Sequence, residues 1–487
     1  MSKRVLFTHS YFMRFDPKQW AQKQPYPPLA TILAAAVLRE KGYAVRLFDT
    51  MFAQSPDEVL PHLQAFKPDY LVIYDDGFNY LTKMCLTNMR EAAWKMSEYA
   101  HAAGCKVIVS SSDSTDHYDK YLQHNADVII LGEAEQTLSE LVENFVVNED
   151  VKGIAFVKDG APVKTPPRTL MKNISDLPLP AWDLVDIEAY RQIWLSRWGY
   201  FSLNIATTRG CPYKCNWCAK PIYGNSYTMR TPEHVVKEIK MLQEKYRFDH
   251  IWFCDDIYGM RRNWVIEFAE LVKMEGLKFR YKIQSRADLL VQEKYVEALA
   301  DSGCESVWMG AESGSQKVLD AMDKGTTIAQ IKEATKLLKQ YGIKPAFFLQ
   351  FGYLGETIQD IKQTIDMLNE CLPDDMGASV SYPLPGTGFY EKVKGDMQNK
   401  TNWTDSDELA LMFSNTYKAD FYKQLHRYVH KNYRLHQGYE SIGKLLSSFS
   451  NLNYQNLRRA AAIGYYLPTT FLEKQKLKNI EYEAAAL

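Results

Sequence analysis

Cysteine is scarce here. Eight in 487 residues cannot staple a secreted fold, so a disulfide scaffold is excluded. Long apolar runs are missing too. The longest near-apolar stretch, residues 29–38, is interrupted by Thr31 and falls well short of the ~18 residues that a membrane span needs. Neither sign of charge dominates: 58 Lys and Arg stand against 59 Asp and Glu. That balance gives no field for general nucleic-acid binding. Low-complexity tracts and short repeats are absent. The N-terminus has basic residues, but neither the apolar core nor the small-residue cleavage site of a secretory leader, so a cytoplasmic, reducing location is expected. What remains is ordinary globular composition, 46% hydrophobic and 24% charged. At ~150 residues per domain the length suggests about three domains.

The first 150 residues alternate strand and helix signals. Short apolar runs at 5–9, 45–48, 70–74, 106–109 and 127–131 are separated by helical periodicity, as at 29–41, which Gly42 ends. This predicts a doubly wound parallel sheet whose ligand loops lie at the carboxyl ends of its strands, at 10–13, 75–80, 110–117 and 132–135. Prolines crowd 160–186, and residues 151–195 are expected to form a linker. Six further strand signals, at 203–207, 250–254, 279–284, 306–309, 346–351 and 378–382, alternate with helices. They predict a partial (β/α)6 barrel of the TIM type over 196–398, with chemistry at the carboxyl ends of its strands. Residues 399–487 lose strand signals and read as a helical tail.

The strongest local signal is Cys211-Pro-Tyr-Lys-Cys215-Asn-Trp-Cys218, just past the strand at 203–207. Thiolates are soft ligands for zinc or iron–sulfur clusters. Structural zinc usually takes four ligands, and no second Cys-x-x-Cys occurs. A four-iron cluster on three thiolates leaves one iron open for a substrate. Zinc ligation and buried structural thiols are the alternatives. Cys254, Cys304 and Cys371 stand alone and read as small core residues.

The Cys-x-x-x-Cys-x-x-Cys spacing after the first barrel strand resembles the radical S-adenosylmethionine (SAM) superfamily. Further segments follow in that family's order: Arg230-Thr-Pro-Glu233, Phe253-Cys-Asp255-Asp256, Gln284-Ser-Arg286, Met309-Gly-Ala-Glu312-Ser-Gly-Ser315, Gln350-Phe-Gly352 with Gly355-Glu356-Thr357, and Pro385-Gly386-Thr387. Leu354 stands where the family usually has Pro. The resemblance implies that Cys211, Cys215 and Cys218 hold a [4Fe-4S] cluster whose open iron binds SAM. It also implies that Asp255, Arg286, Glu312, Ser313 and Gln350 contact SAM, with Trp217 near the adenine. Read without the resemblance, Arg286 is equally a surface ion pair, and the paired aspartates equally a helix start.

The first domain resembles the cobalamin-binding domain that precedes the barrel in one large radical SAM subgroup. Pro27-Pro28-Leu29-Ala30, Gly42-Tyr43, Asp49, Gly132-Glu133-Ala-Glu135 and Leu177-Pro-Leu-Pro-Ala-Trp182-Asp183 carry the likeness. It implies a corrin bound by Phe12, Asp76, Phe78, Asn79, Ser111, Ser112, Gly132 and Glu133. The Asp-x-His-x-x-Gly motif that gives cobalt a histidine is absent, and a Ser/Thr-rich loop at 110–117 replaces the usual Gly-Gly-Pro-His turn. A degenerate docking domain is the alternative. Methylthiotransferases need three cluster cysteines in this domain, and only Cys85 and Cys105 occur.

The resemblance implies a cobalamin-dependent C-methyltransferase of the class B type. One SAM methylates reduced cobalamin, a second yields the 5′-deoxyadenosyl radical, and the methyl group passes to an unactivated carbon. A small-molecule or natural-product substrate and an electron donor such as flavodoxin or ferredoxin are implied as partners. Radical cyclisation or rearrangement without methyl transfer is the second reading, and a non-catalytic SAM- or cobalamin-binding protein the third.

Overall fold

The computed structural model describes residues 2–75, 77–78, 86–397, 402–404, 412–413, 415–448 and 451–485. Its first sheet has seven strands in the order β2-β1-β3-β4-β5-β6-β7. They are β1 Arg4–Thr8, β2 Ala44–Phe48, β3 Tyr70–Tyr74, β4 Lys106–Ser110, β5 Val128–Ile130, β6 Ile154–Lys158 and β7 Ala161–Lys164. The first five run parallel. β3 (Tyr-Leu-Val-Ile-Tyr) is buried along its whole length, as a strand covered on both faces must be. The helices Leu29–Glu40, Val59–Phe66, Thr87–Ala102 and the short pair Ser112–Asp116 and Tyr118–Gln123 fill the crossovers, and Glu135–Asn144 follows β5. The order reverses at β1, which places a ligand crevice at the carboxyl ends of β1 and β3.

β6 and β7 pair antiparallel and carry this sheet past residue 150, where the sequence reading expects linker. Asp159-Gly160 between them is a dipeptide that two-residue hairpins favour. Pro162 in the second strand masks the signal, because proline is tolerated only at a sheet edge, and β7 is that edge.

The second sheet is six-stranded and all parallel, in the order β15-β14-β13-β12-β11-β8. Its members are β8 Ser202–Ile205, β11 His250–Phe253, β12 Arg280–Ser285, β13 Cys304–Glu312, β14 Lys344–Phe351 and β15 Asp375–Val380. β8 and β15 do not pair, so the sheet is an open partial barrel, as expected. Two short strands, β9 Thr208–Arg209 and β10 Thr228–Met229, pair antiparallel and flank the cysteine loop. The tail is helical, as expected: Ala419–Ser447, Tyr454–Ala461 and Ile463–Ala485. Tyr433 Oη donates to Pro373 O at 2.8 Å and docks the longest of these helices beside β15.

One apolar core runs through both sheets. Indole and amide donors close the seam between them. Trp194 Nε1 donates to Pro25 O at 2.8 Å, Asn204 Nδ2 to Pro27 O at 3.0 Å, and Tyr190 Oη to Asp49 Oδ2 at 2.7 Å. Buried polar groups of this kind fix a single docking geometry, because each lost bond leaves an unsatisfied group.

Candidate active site

The cysteine loop leaves β9 through Gly210, whose φ is +76°. A Cβ there would lie 2.5 Å from Ser226 O, so no side chain fits and the loop turns tightly into Cys211. Cys211 is buried, Cys215 and Cys218 are half-buried, and none is in a disulfide. Burial pushes the Cys211 thiol up, while the Tyr213 backbone N–H and Lys220 pull it down. The Cys218 N–H donates to Cys215 O at 3.2 Å. Among the described residues, no three His, Cys, Asp or Glu side chains form a ready metal cage. The thiols are grouped by their loop, with no fourth protein ligand beside them.

Asn216 rivets that loop to the opposite rim of the sheet. Its Nδ2 donates to Ala321 O and Asp323 Oδ2, each at 2.8 Å, and its N–H donates to Met322 O at 3.1 Å. Its Oδ1 accepts from Tyr353 Oη at 2.7 Å, and its carbonyl accepts from the Phe389 N–H at 2.8 Å. These partners follow β13, β14 and β15. Asn216→Ala keeps all three cysteines but removes the side-chain bonds, at about 1 kcal/mol each. The expected result is a folded protein that retains less iron than wild type after anaerobic reconstitution and desalting. Wild-type iron retention would refute this role.

The residues expected around SAM divide into two groups. Asp255 is buried, and its oxygens are taken: Oδ1 accepts from the N–H groups of Thr207 at 2.7 Å and Thr208 at 2.9 Å, and Oδ2 from Thr207 Oγ1 at 2.5 Å. It shapes the β8–β9 turn. Burial pushes it up to about 6, against the hydrogen bonds from Thr207 and Thr208. The neighbouring Asp256 is exposed and lies close enough to act electrostatically on Cys211. Ser313 is buried, with its hydroxyl 3.1 Å from Thr364 Oγ1 and accepting from the Ser315 N–H. It braces the loop after β13. The Arg286 guanidinium stacks on Tyr213 at 3.5 Å, donates to Asp288 Oδ1 at 2.9 Å and donates to Lys324 O at 3.0 Å. A free clamp on a ligand carboxylate is therefore not what the unliganded arrangement offers. The sequence reading misses most of these roles because Thr207, Thr208, Thr364, Tyr213 and Lys324 are distant in sequence from the residues they engage.

Glu312 and Trp217 both lie against Lys324, while Gln350 is engaged at the end of β14. Glu312 sits at φ +57° and accepts from Lys324 Nζ at 2.8 Å, both side chains being buried. Lys324 lies 5.9 Å from the Trp217 ring and acts electrostatically on Cys215. Burial works against its charge, and Glu312 and Cys215 outweigh it, so the amine stays cationic. The buried Trp217 indole N–H has no partner among the described residues. Gln350 donates to Ser381 Oγ at 2.9 Å and links β14 to the residue after β15.

Glu356, in the turn after β14, is fully buried. Its Oε2 accepts from the Gly352 N–H at 2.6 Å, and its Oε1 has no partner among the described residues. Burial pushes its carboxyl from 4.5 up to about 8, against the Gly352 bond. The folded state therefore holds a proton that the unfolded chain releases, and stability falls as pH rises from 4.5 to about 8. Glu356→Gln is expected to flatten that fall in urea titrations across the window. An unchanged slope would contradict it.

At the carboxyl ends of the first sheet, Phe12 is buried and stacks on Phe15 at 4.8 Å, and Phe78 is buried. Asp76 and Asn79 lie outside the described residues. Ser111 caps the helix Ser112–Asp116 by accepting from the Ser114 N–H at 2.8 Å. Ser112 Oγ beside it is buried, with no partner among the described residues. Gly132 meets the other domain instead of open space: a Cβ would lie 3.3 Å from Ile222 O. Glu133 is likewise engaged, accepting from Arg209 Nη1 and the Met171 N–H, each at 2.5 Å. Arg209 Nη2 also donates to Glu135 Oε1 at 2.6 Å. Burial opposes the Arg209 cation, and Glu135, Tyr223 and Glu133 outweigh it. Glu133 and Gly132, expected at the corrin, thus join the first sheet to the cysteine loop.

A family model of the radical SAM superfamily matches residues 205–368. That match covers about a third of the chain, from the end of β8 to the helix after β14. Among curated relatives, an uncharacterized methyltransferase of Pyrococcus horikoshii is 28% identical over 57% of this chain and 60% of its own length. The anaerobic magnesium-protoporphyrin IX monomethyl ester cyclase of Rubrivivax gelatinosus is 27% identical over 80% of this chain and 70% of its own. Among solved structures, the cobalamin-dependent SAM radical enzyme OxsB with aqua-cobalamin bound superposes with a TM-score of 0.72 at 16% identity. That match covers 97% of this chain and 72% of OxsB. The fold of both sheets and the helical tail is therefore similar to that of OxsB.

Proposed function

We propose that this protein is a cobalamin-dependent radical SAM enzyme that methylates an unactivated carbon of a small molecule. The observation that carries the reading is the placement of the cysteine loop. Three thiols, none in a disulfide, stand on the loop at the carboxyl end of a six-stranded parallel sheet, and Arg209 ties that loop to the carboxyl end of the first sheet. Cys211, Cys215 and Cys218 suit a cluster with one open iron, since their loop carries three thiols and no second Cys-x-x-Cys occurs in the sequence. Glu312, Lys324, Trp217 and Asp256 line the side where SAM would sit. The orphan Ser112 Oγ, with Phe12, Phe78 and Ser111, suits a corrin with amide side groups; Asp76 and Asn79 belong to the same proposed set. When bound, these groups supply a deoxyadenosyl radical and a transferable methyl group.

The chain's own contribution is placement. Asn216 holds the loop, the Glu312–Lys324 pair keeps a fixed cation beside Cys215, and the seam between the sheets excludes water from a radical. An electron donor such as flavodoxin or ferredoxin completes the proposal. Likeness to the Rubrivivax gelatinosus cyclase supports a second reading, ring formation without methyl transfer.

The test is anaerobic turnover of the reconstituted protein with SAM, hydroxocobalamin and a chemical reductant. Release of both 5′-deoxyadenosine and S-adenosylhomocysteine supports methyl transfer. Deoxyadenosine alone supports the cyclase reading, and neither product overturns both.

A further inference from the structure

A cavity of about 600 Å³ opens on the concave face of the second sheet, within the range of small-molecule sites. Three parts of the chain wall it: the barrel strands, the loops after β1 and β2, and the long tail helix. The barrel wall is aromatic. Trp308 and Phe348 lie 4.7 Å apart at 32°, and Phe348 is 37% exposed although it sits on an interior strand. Trp252 and Tyr26 pack 4.8 Å apart. An aromatic ring left open to a cavity inside a sheet has no folding purpose of its own.

Lys282, on β12, enters the same cavity. Its Nζ lies 5.2 Å from the Trp252 ring and 5.3 Å from the Tyr26 ring. Among the described residues it has no ion pair and no hydrogen bond. Burial pushes its amine down to about 8. The other charged groups on the lining are Lys18, Arg434 and Asp375. Arg434 already faces Asp375 at 3.7 Å, at an exposed position. The His426–His430 pair, with Nε2 atoms 3.1 Å apart, completes the tail side, and burial pushes His430 down to about 4. The lining therefore carries an excess of cations, with the unpaired one set between flat rings.

We infer that this cavity receives the substrate, and that the substrate is a flat, largely apolar ring system bearing an anionic group that pairs with Lys282. Trp308 and Phe348 contact the ring faces. The tail helix closes the far side. Carboxylate and phosphate share this chemistry. The inference rests on the radical SAM reading for what happens to the bound molecule, but binding itself does not need that reading.

The test is calorimetric titration of the reconstituted protein with 2-naphthoate, 2-naphthyl phosphate and neutral 2-naphthamide. Both anions are expected to bind more tightly than the amide, and the tighter anion identifies the source. Lys282→Met is expected to weaken the anions tenfold or more without weakening the amide, whereas Lys282→Arg restores them. Trp308→Ala is expected to weaken all three. Amide binding by Lys282→Met shows that the cavity still folds. Equal anion affinity in wild type and Lys282→Met, or no binding of any probe to wild type, overturns the inference. Wild-type deoxyadenosine release is scored separately, so a bound anion without SAM cleavage defeats the proposed reaction and leaves this site standing.

Discussion

Replacing any one of Cys211, Cys215 and Cys218 by alanine is expected to abolish retained iron and to reduce deoxyadenosine formation to background. The effect is all-or-none because the loop has no spare ligand. The other described cysteines are buried elsewhere and otherwise engaged. The Cys254 thiol donates to Ile205 O at 3.4 Å, the Cys105 thiol to Pro68 O at 3.2 Å, and burial pushes Cys304 well above the usual thiol range. None of them adjoins the loop in sequence. Cys254→Ala is the control, because it lies next to Asp255 but its thiol donates to the Ile205 carbonyl, outside the cysteine loop. It is expected to keep its iron. Iron loss in Cys254→Ala, or iron retained in a loop variant, would show that the ligand set is misassigned.

Lys324→Met should destabilise the fold by about 3–5 kcal/mol, the usual cost of removing one partner from a buried ion pair. That is a large share of the roughly 5–15 kcal/mol by which proteins are stable. The pair is well buried, at 8% and 6% side-chain exposure, and Glu312 already sits at φ +57°, a region that disfavours side chains. Without Lys324 the carboxylate has no counter-charge and must take up a proton or draw in water. Lys324→Met combined with Glu312→Gln removes both charges and is expected to recover most of the loss. Urea denaturation measures both. A loss under about 1 kcal/mol, or no recovery in the double variant, would mean that the pair is hydrated and holds nothing in place.

The sequence is legible where structure is local. β1 to β5 announce themselves as short β-branched runs between turns, and the three-cysteine loop by its spacing and its position after a strand. The six barrel strands are found to within a few residues because helical periodicity separates them. What escapes is tertiary. Asn216 looks like any loop residue, and only the fold brings residues 321–323, 353 and 389 to it. Asp255 and Asp256 are equivalent in sequence, and it is the β8–β9 turn that claims Asp255 and leaves Asp256 toward the cysteine loop. Arg286 reads as a ligand clamp, while the structure occupies its guanidinium with Tyr213, Asp288 and the Lys324 carbonyl. Glu133 belongs to a motif that suggests ligand binding, but Arg209, 76 residues on, takes its carboxylate. The hairpin β6–β7 and the helix Ile187–Trp198 are local misses inside the expected linker, and the hairpin's Asp159-Gly160 turn lies just before Pro162.

Metal analysis of the anaerobically reconstituted protein, with its absorbance spectrum, tests the central claim most directly. After incubation with iron, sulfide and hydroxocobalamin and removal of unbound material, about four irons and one corrinoid per chain are expected. Iron without retained cobalt would contradict the two-cofactor account and reduce the first sheet to a docking domain. Absence of both would contradict the radical SAM site itself.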